Sequence, residues 1–139
     1  MYIFDTDTLS HLYAGNENVL RSLQQLDRAT VGTTIITKIE MLRGRIDYLL
    51  KADTGTSLRR AQQLFYRTEE LLSQTQIIPI TDKSIVEFDR LIALPKYRKI
   101  GRADLTIASI VLSNRAILVT RNLRHFKQFP GLSVVNWVD

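Results

Sequence analysis

Five short stretches of apolar residues recur along the chain, and segments with helical periodicity separate them. The stretches are Tyr2–Phe4, Ala29–Thr34, Ile77–Ile80, Ala116–Thr120 and Leu132–Trp137. Each is continuous rather than alternating, which is typical of strands that are buried on both faces of a parallel sheet. Parallel strands need crossover connections, and helices usually supply them. The chain is therefore predicted to fold as an α/β protein with a central, mostly parallel sheet of about five strands flanked by helices.

The segments between these stretches carry apolar residues at three- and four-residue spacing, as amphipathic helices do. They span residues 16–26, 37–50, 57–74, 81–94 and 102–114. Ser57 is predicted to be the N-cap of the third of these helices, and Thr81 and Asp82 mark the start of the fourth. Residues 52–57, ADTGTS, indicate a turn between two helices and not a domain boundary. At 139 residues the chain is predicted to be a single domain, 1–139.

The composition excludes several classes of protein. There is no cysteine, so disulfides and thiolate metal sites are excluded, and any metal would need oxygen or histidine ligands. No apolar run reaches the roughly 18 residues of a membrane span, and the first residues lack the basic region of a signal peptide. We therefore expect a cytoplasmic protein without a membrane partner.

Positive charge is concentrated in the last third of the chain. Residues 96–127 contain eight basic side chains and a single acid, Asp104, which gives this segment a net charge of +7. The rest of the chain has eleven basic and thirteen acidic residues, a net charge of −2. Such a segment is either a solvated surface or the contact region for a phosphate-rich partner such as RNA or DNA.

Two acids follow the first predicted strand. Asp5 comes directly after Tyr2–Phe4, and Asp7 lies two residues further on. In parallel α/β sheets ligands bind at the carboxyl ends of the strands, so Asp5 stands where active sites are built. Simpler roles are also open, because Asp5 is a good helix N-cap and Asp7 in the first helical turn would be favoured by the helix dipole.

Three further polar residues occupy comparable positions. Glu40 follows the second strand and borders an apolar helical stripe, although an ion pair with Arg43 or Arg45 would also explain it. Asp104 opens the apolar helix that begins near residue 102, and Asn122 follows the fourth strand. For Asp104 the simpler role is a first-turn acid, and for Asn122 it is an N-cap.

Several acids around one pocket repel one another unless a cation compensates their charge. Mg²⁺ and Mn²⁺ prefer carboxylate and water oxygens, and substrate phosphate often completes their coordination. A basic segment beside such a pocket would hold a polyanionic backbone while the metal site cuts it. These features together predict a metal-dependent nuclease whose binding to RNA is strongly salt-sensitive.

Four segments of the chain match a known family in order and spacing. They are YIFDTDTLS (2–10), TTIITKIEMLRG (33–44), IGRADLTIASI (100–110) and ILVTRNLRHFKQFPGLSVVNW (117–137). The chain resembles the PIN-domain ribonucleases and, within them, the VapC-like toxins of bacterial type II toxin–antitoxin systems. The resemblance covers almost the whole chain and implies a PIN-like fold and an endoribonuclease that depends on Mg²⁺ or Mn²⁺.

The resemblance also implies roles for individual residues. Asp5, Glu40 and Asp104 stand at the first, second and third acidic positions of the family, with Asp5 and Asp104 as direct metal ligands and Glu40 as a supporting one. Asp7 stands where Asn is usual, and it is a second supporting candidate. Asn122 stands at the fourth catalytic position, where many members have Asp, so a direct metal contact by Asn122 is left open.

Contacts to substrate and partners complete these expectations. Thr6 and Thr120 line the strand ends and are expected to hydrogen-bond the acids, and we also count them among the candidate substrate-binding residues. The basic side chains predicted to contact RNA are Arg102, Arg121 and Arg124. The resemblance further implies a homodimer and an antitoxin protein encoded by the adjoining reading frame.

Two other functions fit parts of the same sequence. FDTDTL (4–9) resembles the opening element of haloacid-dehalogenase-type phosphatases, with Asp5 as nucleophile and Asp7 as general acid. That family also needs a late pair of acids, yet no acid lies between Asp104 and Asp139. The other alternative is a degenerate PIN domain that binds RNA without cutting it. His125 is predicted to be a surface or packing residue.

Overall fold

Five parallel strands form the centre of the protein. The structure is a computed structural model that describes residues 1–27 and 30–139. The strands pair in the order β3–β2–β1–β4–β5, so the first strand of the chain is the middle strand of the sheet. Their bounds are Tyr2–Phe4 (β1), Val31–Thr34 (β2), Ile77–Ile78 (β3), Ile117–Val119 (β4) and Ser133–Val135 (β5).

Helices cover both faces of this sheet. They are Thr6–Tyr13 (α1), Glu17–Gln24 (α2), Ile35–Leu50 (α3), Gly55–Ser73 (α4), Asp82–Ile92 (α5), Arg102–Ser113 (α6) and Leu123–Phe126 (α7). A short 3₁₀ turn, Pro95–Tyr97, precedes α6. None of the helices in the described part of the chain is both long enough and apolar enough to cross a membrane.

The predicted α/β architecture is confirmed, with some changes in the bounds of its elements. All the strand pairs in the sheet are parallel. The third strand ends at Ile78, because Pro79 has no N–H to continue the hydrogen-bond ladder. Ala29, which was predicted to begin the second strand, lies outside the described residues.

The predicted start of the helix in residues 57–74 was wrong. Thr54, not Ser57, is the N-cap of α4, and the helix begins at Gly55. Ser57 forms the other half of a capping box: its N–H donates to the Thr54 hydroxyl oxygen over 3.0 Å, and its own hydroxyl oxygen accepts from the Thr54 N–H over 3.2 Å. Both residues are good caps, so the sequence alone did not distinguish their positions.

The hydrophobic core has two parts, one on each side of the sheet. Ile3 and Leu118 belong to the cluster that includes the buried residues of α6. Phe4 and Val119, each one residue further along its strand, belong to the other cluster, with Leu9 of α1. This alternation is expected of strands covered by helices on both faces, and it holds β1 and β4 rigidly in the centre of the molecule.

The strand register places the carboxyl ends of β1, β2 and β4 side by side. Phe4 pairs with Thr33 on one side and with Val119 on the other. The backbone N–H of Asp5 donates to the Val119 carbonyl over 3.1 Å, and the Thr33 hydroxyl donates to the Phe4 carbonyl over 2.7 Å. The residues that follow these strands therefore meet at the carboxyl edge of the sheet.

Candidate active site

A cleft of about 260 Å³ lies at this carboxyl edge. The residues that line it are Asp5, Thr6, Asp7, Glu40, Asp104, Ile107, Arg121, Asn122 and Phe126. The four predicted catalytic residues are therefore brought together from β1, α3, α6 and the residues after β4. Asp7, Thr6 and Arg121 join them, whereas Thr120, Arg102 and Arg124 do not line the cleft.

Asp5 is the most buried acid of the cleft, and it also caps a helix. One of its carboxylate oxygens, Oδ1, accepts a hydrogen bond from the Thr8 backbone N–H over 2.8 Å, so Asp5 is the N-cap of α1. Burial raises the pKa of Asp5, and the nearby charge of Asp7 adds to this; hydrogen bonds from the Thr120 hydroxyl and the Thr8 N–H oppose it. Asp5 is thus the N-cap of α1 and at the same time lines the cleft.

Glu40 is held by a relay of two hydroxyl groups. The Thr6 hydroxyl donates to Glu40 Oε1 over 2.7 Å. The buried Thr37 hydroxyl lies 3.1 Å from Thr6 Oγ1, and since the single Thr6 proton points to Glu40, Thr37 is the donor to Thr6. The relay holds the Glu40 carboxylate toward the cleft. A hydrogen bond from Thr6 to one of the acids was predicted, and it is present.

The ion pair considered for Glu40 is not formed. Within residues 1–27 and 30–139, neither Arg43 nor Arg45 forms a salt bridge with Glu40. The Arg45 guanidinium instead donates through Nε to the Thr68 hydroxyl of α4 over 3.0 Å. The simple surface role for Glu40 was therefore wrong, and its carboxylate is left facing Thr6 and the cleft.

Asp104 lies in the first turn of α6 with 44% of its side chain exposed. Its Oδ2 is 3.0 Å from Nε2 of His125 on α7. Sequence reasoning missed this neighbour, because a lone histidine in a basic segment gave no signal of its own.

Asn122 occupies the N-cap position of α7 without capping it. Its side chain makes no cap hydrogen bond to α7, so the N-cap interpretation of this side chain was wrong. Instead, its backbone N–H donates to the Thr120 hydroxyl oxygen over 3.0 Å. The amide side chain therefore remains available to the cleft that it lines.

Thr120 links Asp5 and Asn122 through its hydroxyl group. Its side chain is completely buried, so it has no surface to offer a substrate. Its hydroxyl accepts from the Asn122 N–H and donates to the Asp5 carboxylate. The predicted hydrogen bond from Thr120 to an acid is present, and it connects the ends of β1 and β4.

Arg121 and Asp7 form a charged rim on one side of the cleft. Arg121 Nη1 lies 3.8 Å from Asp7 Oδ2, and Arg121 Nε lies 3.4 Å from Asp139 Oδ2. The other Asp7 oxygen is 3.6 Å from Nε2 of His11. All these side chains are substantially exposed, so the contacts orient Arg121 but contribute little to stability.

The donor groups of the cleft suit a hard divalent cation. Asp5, Glu40 and Asp104 present carboxylate oxygens, and Asn122 adds an amide oxygen. In the described part of the chain no three Asp, Glu or His side chains converge closely enough to form a complete metal cage.

Comparison with known proteins identifies the family. A sequence model of the PIN domain matches residues 2–132. The chain belongs to the PIN-domain family. The resemblance noted from the four sequence segments is thereby confirmed, and so is the PIN fold, here with its parallel five-stranded sheet.

Individual relatives agree with this assignment. The PIN-domain chain is 31% identical over 81 residues to Ribonuclease VapC2 of Rickettsia felis, a match that covers 57% of this chain and 60% of that protein. Its fold is similar to VapBC2 of Rickettsia felis bound to a promoter DNA fragment (TM-score 0.77, 24% identity, 98% of each chain). It is also similar to VapBC-1 of nontypeable Haemophilus influenzae (TM-score 0.80, 20% identity, 99% of this chain and 98% of the other).

Proposed function

We propose that this protein is a cytoplasmic, Mg²⁺- or Mn²⁺-dependent endoribonuclease and the toxin of a toxin–antitoxin module. The observation that carries the proposal is the cleft itself, which Asp5, Glu40 and Asp104 line although they are distant in sequence. The likeness to a protein named Ribonuclease VapC2 supports RNA as the substrate.

Asp5 and Asp104 are the side chains that we propose as direct metal ligands, with Glu40 and Asp7 in support. A divalent ion bound there would lower the pKa of a water molecule and stabilise negative charge on a phosphodiester. Burial disfavours the charged form of Asp5, and a cation nearby would favour it again.

The remaining cleft residues position the reacting groups. The Thr37–Thr6 relay holds Glu40 in one orientation, so its carboxylate can orient a water molecule without first reorganising. Asn122 offers both an N–H donor and a carbonyl oxygen, and we propose that it contacts the scissile phosphate or the ion. Its neutral side chain adds no further negative charge to the cleft.

Exposed cations on the two helices that carry Asp104 and Phe126 are proposed to bind the RNA backbone. Arg102 lies at the start of α6 and Arg124 on α7, and both are exposed. Neither forms an ion pair within residues 1–27 and 30–139. Unpaired cations of this kind bind phosphate without sequence preference, and they release counterions when they do so.

Removing one of these cations is expected to weaken RNA binding uniformly. For Arg102→Ala or Arg124→Ala, we expect the slope of log affinity against log salt to fall by about 1, without regard to RNA sequence. Fluorescence anisotropy with labelled single-stranded RNA, in the absence of divalent metal, would measure this. Arg60→Ala is the matched control, since Arg60 is an exposed arginine of α4, a helix that contributes no residue to the cleft lining, whereas α6 and α7 both do. An equal change for Arg60→Ala would contradict a localised RNA surface.

Metal removal is the direct test of the proposed reaction. With Mg²⁺ or Mn²⁺ the protein is expected to fragment a total RNA pool, and excess EDTA should abolish the cleavage. Hydrolysis of a generic phosphate monoester should stay at background, because the cleft lacks the late acidic pair of a phosphatase. Gel analysis of RNA and a colorimetric monoester assay, run on the same protein sample, give both readouts.

Two outcomes of that test would reject the proposal. Monoester hydrolysis with a phosphorylated Asp5 would establish the phosphatase alternative instead. RNA binding without cleavage in the presence of either metal would establish a degenerate, RNA-binding PIN domain.

We also propose two protein partners, a cognate antitoxin and a second copy of this chain. The solved structures with a similar fold include VapBC2, VapBC-1 and a toxin–antitoxin complex from Klebsiella pneumoniae, which supports the antitoxin. Large apolar side chains are exposed on two separate faces, one on α3 and α4 and one around α5. Co-purification with the product of the adjoining reading frame, and the molar mass of the 16.0 kDa chain in solution, test the two partners separately.

A further inference from the structure

The Arg121 guanidinium is held at two ends by different parts of the chain. Its Nε donates to Asp139 Oδ2 over 3.4 Å, and Asp139 does not line the cleft. Its Nη1 lies 3.8 Å from Oδ2 of Asp7, which does line the cleft, and 3.4 Å from Nε2 of His11. The contact to Nε therefore comes from outside the cleft, while the Nη1 end lies beside a residue of the cleft lining.

The segment that carries Asp139 is built into the fold. Trp137 packs edge-on against Phe4 of β1, with ring centroids 5.5 Å apart, and Val138 is buried. The Asn136 side chain closes a turn, because its Oδ1 accepts from the Val138 N–H over 2.9 Å. Its Nδ2 donates to Asp139 Oδ2, also over 2.9 Å. The Oδ2 atom of Asp139 is thus a fixed acceptor and not part of a freely moving surface group.

A fixed acceptor on Nε suits an arginine that binds phosphate. A guanidinium carries five N–H donors in one rigid plane, so an acceptor on Nε orients the plane and leaves Nη donors for another anion. In the described part of the chain, Nη2 of Arg121 has no hydrogen bond or ion pair. A free arginine side chain loses much rotamer freedom when it binds a phosphate, and one that is already oriented loses less.

We propose that Asp139 is a positioning residue that directs the Arg121 guanidinium towards an RNA phosphate at the cleft. Asp139 acts through Arg121 and does not itself touch the RNA. This inference rests on the proposed ribonuclease function, and it adds a residue that was not among the candidate site residues.

The negative charge of Asp139 acts against this role, because it repels a phosphate. The Arg121 and Asp139 side chains are 45% and 61% exposed, so water and salt screen the repulsion. We therefore expect the orienting effect of Asp139 on Arg121 to be larger than its repulsion of the phosphate.

RNA affinity measured in EDTA tests this role without any cleavage. Asp139→Ala removes the acceptor on Nε, so labelled single-stranded RNA should bind about 3- to 10-fold more weakly. Asp139→Asn keeps an oxygen that can accept from Nε and removes the charge, so its affinity should equal that of the wild type or be up to about threefold tighter. Fluorescence anisotropy at one fixed salt concentration gives the affinities. Equal losses for Asp139→Ala and Asp139→Asn would overturn the proposal.

A double-mutant cycle shows whether Asp139 acts through Arg121. Arg121→Ala should weaken RNA binding at least as much as Asp139→Ala does. Adding Asp139→Ala to Arg121→Ala should cause no further loss, within about twofold, because the group that Asp139 orients is already gone. A full further loss in the double variant would overturn the proposal. Tighter RNA binding by Asp139→Ala would do the same, since Asp139 would then only compete with RNA for the guanidinium.

Thermal unfolding separates positioning from folding. An exposed ion pair contributes little to stability, so Asp139→Ala should melt within a few degrees of the wild type. If it melts earlier, Arg121→Lys decides, because this change keeps the positive charge and the turn at Asn136 but loses the Nε donor. It should bind RNA about 3- to 10-fold more weakly than the wild type, and wild-type affinity would contradict the inference.

The same measurements distinguish this inference from the proposed function. A wild-type protein that binds no RNA would refute the ribonuclease function together with the role of Asp139. RNA binding by the wild type that Arg121→Ala leaves unchanged would overturn the role of Asp139 alone.

Discussion

Asp5→Asn is expected to lower metal-dependent RNA cleavage by about 100-fold or more, because the carboxylate that we propose as a direct metal ligand is lost. The stability of the folded protein should stay close to that of the wild type. Asn caps a helix about as well as Asp, so the hydrogen bond from the Thr8 N–H is kept. Initial rates on RNA and thermal unfolding, measured on the same preparation, would show loss of function without loss of structure.

The stability difference between Asp5→Asn and the wild type should depend on pH. Burial raises the pKa of Asp5 in the folded state, so the folded state binds a proton more tightly there than the unfolded state does. The resulting stabilisation is complete below the unfolded pKa, and it is lost as the pH rises through the folded pKa. In EDTA, the Asn variant should therefore gain stability relative to the wild type as the pH rises from about 4 to 7.

Asp5→Ala is the matched control for the capping role. It removes both the carboxylate and the cap, so we expect the free energy of unfolding to fall by about 1 kcal/mol. An Asn variant that is as unstable as the Ala variant would contradict the separation of the capping role of Asp5 from its proposed role as a metal ligand. An Asn variant that cleaves RNA at the wild-type rate would contradict Asp5 as a metal ligand.

Asp104→Asn is expected to cause a comparable loss of cleavage, again about 100-fold or more. Asp104 is half-exposed in the first turn of α6, where the helix dipole stabilises an acid by only about 0.3–1 kcal/mol. The variant should therefore stay folded and should bind RNA at least as well as the wild type in the absence of metal, since a negative charge beside the cleft is removed.

Asp82→Asn is the control for this second substitution. Asp82 is the first-turn acid of α5, as Asp104 is of α6, and it lies outside the cleft lining. Both variants lose one favourable contact with a helix dipole, but only Asp104→Asn should lose activity. Cleavage by Asp104→Asn within tenfold of the Asp82→Asn rate would remove Asp104 from the metal site.

Much of the fold follows from patterns that are local in the sequence. Continuous apolar stretches such as Tyr2–Phe4 predicted the strands, because a strand that is buried on both faces has apolar residues at every position. Apolar residues at three- and four-residue spacing predicted the helices between them, because a helix that packs on one face buries only that face. The same rule placed Asp5 and Asn122 at the carboxyl edge of the sheet. The structure brings both residues into one cleft with Glu40 and Asp104.

The contacts that orient the site were not predictable in this way. The approach of His125 to Asp104 depends on how α7 packs beside α6, and the rim contact of Arg121 depends on where Asp139 comes to lie. Likewise, the Thr6–Thr37 pair was visible only once α1 and α3 were placed side by side. Side-chain directions between elements are set by tertiary packing, which a one-dimensional pattern does not record.

The central position of β1 has a consequence for how the protein is made. Residues 2–4 are synthesised long before one of their two neighbouring strands, β4, which is formed by residues 117–119. Contacts between such distant segments form late, because the whole intervening chain must be ordered around them. The cleft needs both Asp5 and Asn122, so a growing chain cannot assemble it before residue 122 has been added.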